Sequence, residues 1–362
     1  MIQISPETQL FIREHSSDDV RTLALQAKKY PDINMPTAIT QIAGRQVAAE
    51  KIPSWREIEE IWYPKHLSLE QCSSEITARY KARLFQGDSL TDLTGGFGID
   101  CSFLATGFKS ATYVERQEEL CEIAAHNFPI LNLNHINVRN EDGVAYLQTM
   151  SPVDCIFLDP ARRNEHGGKT VAISDCEPNV AELEALLLSK ANRVMIKLSP
   201  MLDLSLALKE LKHTQEIHIL SVNNECKELL ILLRQTSPAE IAIHCVNLLT
   251  KGTQEEQHLV FTREQEQRSQ CTYTDSLGNY LYEPNASLLK AGAFRSIAAA
   301  YPVRKLHPNS HLYTSDSFIE NFPGRIFRIV NQCSFNKKEV KENLADLKKA
   351  NVTVRNFPAT VA

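Results

Sequence analysis

Short apolar runs alternate with helix-spaced stretches through the middle of this chain, a pattern that predicts a parallel β-sheet covered by helices on both faces. Strands are expected near 89–93, 111–115, 136–140, 154–158, 193–197, 216–221 and 228–233. Only Val222 to Lys227 separates the last two. That is too short for a helical crossover, so the pair is expected to form an antiparallel hairpin. Before residue 87 the pattern is helical. Starts are signalled at Ser5-Pro6-Glu7, at Ser17-Asp18-Asp19, at the capping-box pattern Ser54-Trp55-Arg56-Glu57 and at Ser68-Leu69-Glu70-Gln71, with prolines 31, 36, 53 and 64 in the gaps. Beyond 235 the runs become short and β-like (Ile241 to Val246, Leu259 to Phe261), and a helix from Asn285 to Ala300 follows. A βαβ unit closes the chain: strand Arg325 to Ser334, helix Lys337 to Ala350, strand Val352 to Phe357. The chain stops soon afterwards, so this last unit is expected to be incomplete. The fold class is thus α/β, with a Rossmann-like seven-stranded sheet. The domains read as a helical one at 1–86, the sheet at 87–235, a β-rich, ferredoxin-like α+β connection at 236–318 and the βαβ unit at 319–362.

Composition narrows the setting. The 362 residues carry a net charge of −5, so global charge points to no polyanionic partner. Nine cysteines are scattered without a C-x-x-C pair, and several lie inside apolar runs, as Cys155 does. That usage predicts reduced, packed thiols in a cytoplasmic protein, with neither a disulfide framework nor a metal site. No run reaches the roughly 18 apolar residues of a membrane span, and no signal peptide is visible.

The chemistry begins at Asp92-Leu93-Thr94-Gly95-Gly96-Phe97-Gly98. An apolar strand ends in a carboxylate, and a glycine loop opens at once into a helix, which is how an open α/β sheet builds a ligand crevice. A pyrophosphate over this loop would meet repulsion from Asp92. The dinucleotide fingerprint also fails, because Cys101 stands where its third glycine belongs. A ligand with an ammonium and a sulfonium fits better, and S-adenosylmethionine has both. Glu115, 23 positions after Asp92 at the tip of the second strand, can accept from two ribose hydroxyls. Asp142, after the third strand, can accept from an adenine amine. Thr94, Asp100, Arg116 and Gly143 lie beside these groups and join Asp92, Gly95, Gly96, Gly98, Glu115 and Asp142 as cofactor-binding candidates.

On these residues the segment 87–235 resembles the class I S-adenosylmethionine-dependent methyltransferases. Together with Asp159-Pro160-Ala161-Arg162-Arg163, it is similar to a bacterial group that carries a C-terminal THUMP-like domain. The resemblance implies a methyltransferase sheet, the cofactor roles given above (Asp159 included), and a tail like those that help dock RNA in tRNA-modifying enzymes. Relatives that methylate exocyclic amines carry Asp/Asn-Pro-Pro-aromatic at the fourth strand tip. Here Ala161 and Arg162 replace the second proline and the ring, which argues against amine chemistry. Pro160, Arg162 and Arg163 are candidate substrate contacts, since arginines can stack on a base or grip phosphate. Ser199 stands where a pyrimidine-C5 enzyme would want its cysteine. Lys81, Asp159, Lys197 and Glu225 or Glu228 form a set similar to that of ribose 2′-O-methyltransferases, so Lys81, Asp159 and Lys197 are candidate catalytic groups and Glu225 a substrate contact.

Local charge adds one more lead. Residues 301–362 hold ten Lys/Arg and five Asp/Glu, netting +5, so residues 1–300 net −10. That asymmetry favours a phosphate-facing end and RNA as partner. A small-molecule or protein acceptor, or a catalytically silent binding scaffold, also fits the residues. Oligomeric state is not encoded in any motif here.

Overall fold

A computed structural model of the chain describes residues 4–162, 172–236, 238–252, 255–345 and 347–353. The chain divides into two compact units, Met1–Gln215 with Ile231–Ser237 and Glu216–Leu230 with Pro238–Ala362. No helix among the described residues is long and apolar enough to cross a membrane.

The first unit opens with helices α1 (Pro6–Glu14), α2 (Val20–Leu25), α3 (Met35–Lys51), α4 (Pro53–Arg56), α5 (His66–Gln71) and α6 (Glu75–Leu84). Ser5 and Asp19 cap α1 and α2 by accepting the backbone N–H groups of Thr8 and Thr22, three residues on. Two expected starts move. No capping box forms at Ser54: α4 is a single turn, and the Ser54 N–H donates to Glu75 of α6 at 2.8 Å. The next helix begins two residues before Ser68, at His66. Phe11, Ile12, Leu23, Met35, Ala38 and Ile42 form one apolar cluster; Trp55, Ile61, Tyr63 and Leu69 form another, with Phe97, Ile99 and Ile123 of the sheet region. The helical region therefore packs directly on the glycine loop, Trp55 meeting Phe97 edge-on at 5.3 Å.

Five parallel strands follow: β1 (Gly87–Asp92), β2 (Phe108–Glu115), β3 (Ile136–Asn140), β4 (Val153–Leu158) and β5 (Ala191–Leu198), in the spatial order β5-β4-β1-β2-β3. Between them lie α7 (Ile99–Ala105), α8 (Glu118–Ile130), α9 (Gly143–Thr149) and α10 (Val180–Lys190), and α11 (Leu204–Glu210) follows β5. The chain direction reverses in strand order at β1, which is where an α/β sheet leaves a crevice outside its strand tips. β1 and β4 end buried on both faces, as central parallel strands should.

β6 (Thr214–Val222) and β7 (Glu225–Leu233), whose residues 216–230 belong to the second unit, are joined by Asn223 and Asn224 alone. Both asparagines have positive φ, 48° and 69°, the backbone of a type I′ hairpin turn, so the expected hairpin is present and tighter than read. Two more strands pair alongside this hairpin. β8 (Ala242–Leu248) pairs in parallel with β6, and β9 (Glu256–Phe261) runs antiparallel to β8. These strands belong beside β6 rather than to a separate connecting layer. Their alternating pattern reads the same in either place, because the pairing partner is not written in local periodicity. After α12 (Arg263–Arg268) comes an antiparallel sheet of β10 (Tyr280–Pro284), β11 (Arg304–His307), β12 (Ser310–Ser315) and β13 (Gly324–Arg328), ordered β11-β12-β10-β13.

Two further readings change. The helix expected from Asn285 to Ala300 is two, α13 (Ala286–Ala291) and α14 (Phe294–Ala300), because Gly292 takes the left-handed conformation (φ 76°) and ends the first. The terminal βαβ unit is not self-contained: β13 pairs antiparallel with β10, and α15 spans only Lys337–Asn343. Of the expected last strand, Val352 and Thr353 are not strand, and 354–357 lie outside the described residues.

Gly143, at the start of α9, shows how tightly the strand tips are packed. A Cβ there would sit 2.1 Å from the Leu93 carbonyl oxygen. Gly143→Ala is expected to lower unfolding stability by about 2 kcal/mol, as an overpacking substitution does, measured by chemical denaturation; an unchanged midpoint would show that the loop has room to shift.

Candidate active site

The glycine loop bridges three strand tips. The Leu93 N–H donates to Phe157 O of β4 at 3.0 Å, and the Gly95 N–H to Val114 O of β2 at 2.9 Å. Thr94 Oγ1 accepts from the Asp159 N–H at 2.6 Å. Absence of side chains makes this possible. A Cβ on Gly95 would lie 2.2 Å from the Tyr113 ring, and Gly96 and Gly98 have φ of 53° and 87°. Tyr113, fully buried in β2, donates its hydroxyl to Gly96 O. It had no signal of its own in the sequence, being one aromatic in an apolar strand.

Asp92 ends β1 with 1% of its surface exposed. Its Oδ1 accepts from the Thr94 N–H at 3.0 Å, while Oδ2 is buried without a hydrogen-bond partner among the described residues. Burial pushes its carboxyl well above the ordinary range, the Thr94 N–H opposes this, and Asp100, Asp159 and Glu115 add repulsion. A buried carboxylate oxygen with an unmet acceptor is costly unless a donor arrives from outside the chain. Glu115, nearly buried at the tip of β2, accepts from the Gly96 N–H (2.9 Å) and the Gln117 N–H (2.8 Å), one on each oxygen. Each oxygen keeps a second acceptor position. An ammonium for Asp92 and a diol for Glu115, with bare loop backbone between, is a donor set that S-adenosylmethionine supplies. The residues fit that group.

Other candidates land differently. Asp142 is exposed and caps α9, its Oδ1 accepting from Val144 and Ala145 at 3.0 Å. Arg116 is exposed, 3.9 Å from Glu177. Pro160 is buried, Ala161–Arg162 pairs antiparallel with Cys176–Glu177, and Arg163 lies outside the described residues. Glu225 belongs to the second unit, is 72% exposed and pairs with Lys227 at 2.7 Å. Its carboxylate serves the hairpin end, where a polar residue is expected on turn grounds alone.

The three catalytic candidates do converge, through a residue read as a cofactor contact. Asp100, in the first turn of α7, receives Lys81 of α6 on Oδ1 at 3.0 Å and Lys197 of β5 on Oδ2 at 3.4 Å. Ser73 donates to Asp100 Oδ2 at 2.7 Å and accepts from Lys81 (3.0 Å) and Lys197 (3.1 Å). Lys197 also meets Asp159 Oδ2 at 2.5 Å. Two cations and two anions thus balance in one buried network. Burial works to raise the Asp100 carboxyl, but Lys81 and Lys197 overcome it and hold it at about 2. Lys81 is wholly buried and Asp159 is 36% exposed. Lys81 is thus buried as a counter-ion of Asp100, which both lysines engage. Only Asp159 of the network opens to solvent appreciably. The fold and this crevice define a class I S-adenosylmethionine-dependent methyltransferase architecture.

Comparison with known proteins agrees. The chain is 34% identical to the crystal structure described as a "putative methyltransferase" from Porphyromonas gingivalis W83, covering 99% of this chain and 91% of that one with a TM-score of 0.85. It belongs to that protein's family, within the class I methyltransferases that carry a C-terminal THUMP-like domain. Residues 280–323 match a ferredoxin-like domain family and 324–362 a THUMP domain-like family. M. capricolum TrmK with S-adenosylhomocysteine aligns over 44% of this chain and 68% of its own (12% identity, TM-score 0.35). A Streptococcus thermophilus rRNA methylase aligns over 44% and 93% (14%, 0.32). At those scores no argument rests on either. No curated protein matches the chain.

Asp100→Asn withdraws the charge that two buried lysines share, and is expected to cost about 3–5 kcal/mol of stability at pH 7. The folded-state value lies below the ordinary 3.8. The stabilisation is therefore present above pH 4 and lost as pH falls toward 2, so the gap to wild type should close over that range. Urea denaturation at pH 7 and pH 3 checks this; equal stability of the two proteins at pH 7 would contradict it.

Proposed function

We propose that this chain is an S-adenosylmethionine-dependent methyltransferase acting on an RNA nucleoside in the cytoplasm. The observation that carries the cofactor assignment is the unmet, fully buried Oδ2 of Asp92 at the head of a glycine loop. Asp92 is suited to an ammonium, Glu115 to the ribose hydroxyls, and Gly95, Gly96 and Gly98 to a ligand lying against backbone. Bound there, the cofactor supplies an electrophilic methyl group for in-line transfer. The chain's own contribution is to hold the acceptor in line, where proximity and alignment provide much of the acceleration. Asp159 is the group suited to orient an acceptor or take its proton, because it is partly exposed and Lys197 fixes its carboxylate. Lys81 acts at one remove, by holding Asp100 and through it Lys197. Pro160, Arg162 and Arg163, next in the chain, are candidates for the acceptor side.

The THUMP domain-like match at 324–362 and the +5 balance of residues 301–362 support RNA as the acceptor. All nine cysteines are free thiols, in keeping with a reducing compartment.

Two measurements test this reading. Calorimetry should find S-adenosylmethionine binding, weakened about 10- to 100-fold in Asp92→Asn and in Glu115→Gln. The raised Asp92 value also sets a sign. An ammonium beside it favours the carboxylate, so binding should release a proton and affinity should fall as the solution is acidified. Repeating the titration in buffers of different ionisation enthalpy reads that proton, and Asp92→Asn should abolish it. For the acceptor, nucleosides from RNA of a deletion strain should lack one methylated species by mass spectrometry. A full set of methylated nucleosides would turn the assignment toward a protein or small-molecule acceptor.

A further inference from the structure

The second unit carries a group of side chains that the methyl-transfer reading leaves unused. Glu216 and His218 stand two residues apart on β6, so they share one face of the sheet. His244 of β8 pairs in register with His218, and His258 of β9 lies on the same face, one pair removed from His244. Histidine is not a usual choice for three neighbouring strands, where apolar β-branched residues pack better.

Distances give the group its meaning. Glu216 Oε2 lies 3.3 Å from His218 Nε2 and 3.8 Å from His244 Nε2. The ligating atoms of these three residues all fall within 4.8 Å of one another. Donors bound tetrahedrally at roughly 2.0–2.1 Å are separated by about 3.4 Å, so two edges of a coordination triangle are nearly at length and the third needs a small ring movement. The other nitrogen of His244 is also accounted for. Its Nδ1 lies 3.2 Å from His258 Nε2. With the proton on Nδ1 donated to His258, the Nε2 lone pair faces Glu216, which is the outer support that metal-bound histidines usually have. The His218 and His244 rings stack 4.3 Å apart at 14°, presenting their edges side by side. His218 is 2% exposed and Glu216 34%, so the group is walled on one side and open on the other.

We propose that Glu216, His218 and His244 bind a borderline divalent cation of the zinc class, with His258 as the residue that orients His244 and water in the open position. The donor set of two imidazoles and one carboxylate suits zinc over magnesium or calcium, which prefer oxygen. Its effect is to tie β6, β8 and β9 together; the chemistry at Asp159 does not require it. The composition gave no hint of this, since the four residues are spread over 43 positions without a short motif (Glu216 to His258, both counted).

The test uses the full-length, chelator-treated protein. Zinc titrated against a chromophoric chelator should bind at one ion per chain, with micromolar or tighter affinity, and should raise the melting temperature. Cobalt in its place should give the visible absorption of a tetrahedral site without the thiolate charge-transfer band that cysteine ligation produces. Affinity should fall at least 10-fold in His244→Gln and in Glu216→Gln, and 10- to 100-fold in His258→Ala. If a substitution prevents folding, the wild-type stoichiometry and cobalt spectrum decide alone. Absence of stoichiometric zinc binding, a thiolate band, or binding unchanged in His244→Gln would each overturn the proposal. S-adenosylmethionine affinity, measured in parallel, should not change, which separates failure here from failure of the methyltransferase reading.

Discussion

One buried carboxylate organises the crevice. Asp100 sits in the first turn of α7, directly after the glycine loop, and draws Lys81 from α6 and Lys197 from β5 onto its two oxygens. Three elements from distant parts of the chain are thereby pinned beneath the loop. The arrangement is worthwhile only as a whole. Each charge costs several kcal/mol to bury, and attraction offsets that cost when geometry is good and the remaining donors are met. Ser73 meets several of them. What reaches solvent from this network is Asp159, its carboxylate already oriented by Lys197.

The same region shows two ways of treating a buried acid. Asp100 is compensated from within the chain, and its carboxyl is held low. Asp92, among the described residues, is compensated by the Thr94 N–H on one oxygen, and burial pushes its carboxyl high. The fold satisfies one acid with two lysines and leaves its neighbour's outer oxygen unmet among the described residues, the contrast on which the proposed ligand position at Asp92 rests. Function in such a sheet is therefore read from the difference between neighbours rather than from the presence of acids, which occur after many strands.

Glycine selection follows from packing as much as from ligand access. Gly95 is required because the Tyr113 ring lies against it, and Gly143 because the Leu93 carbonyl does. Those two contacts bring β1, β2 and α9 close enough for the loop to bond to both flanking strands. The helical N-terminal region adds a lid of apolar contacts on Phe97 at the loop's tip. Rigidity of the loop is thus supplied from below by backbone hydrogen bonds and from outside by aromatic packing.

Much of this was legible in the residues. Strands ending at Asp92 and Glu115 and just before Asp159 show in apolar runs followed by an acid, because alternation of strand and helix is a local property of period and length. The glycine loop shows because backbone conformation restricts residue type. The resemblance to ribose 2′-O-methyltransferases marked Lys81 and Lys197, yet not their shared partner: Asp100 reads as a cofactor contact beside the glycine loop until α6 and β5 close around it. Gly292 splitting a helix, and β8 choosing β6 as neighbour, were likewise decided by the fold, since a left-handed turn and a pairing partner depend on contacts far away in the chain. The clearest case is the histidine group on β6, β8 and β9. Its members are unremarkable one by one, and only strand pairing puts their nitrogens within reach of a single ion.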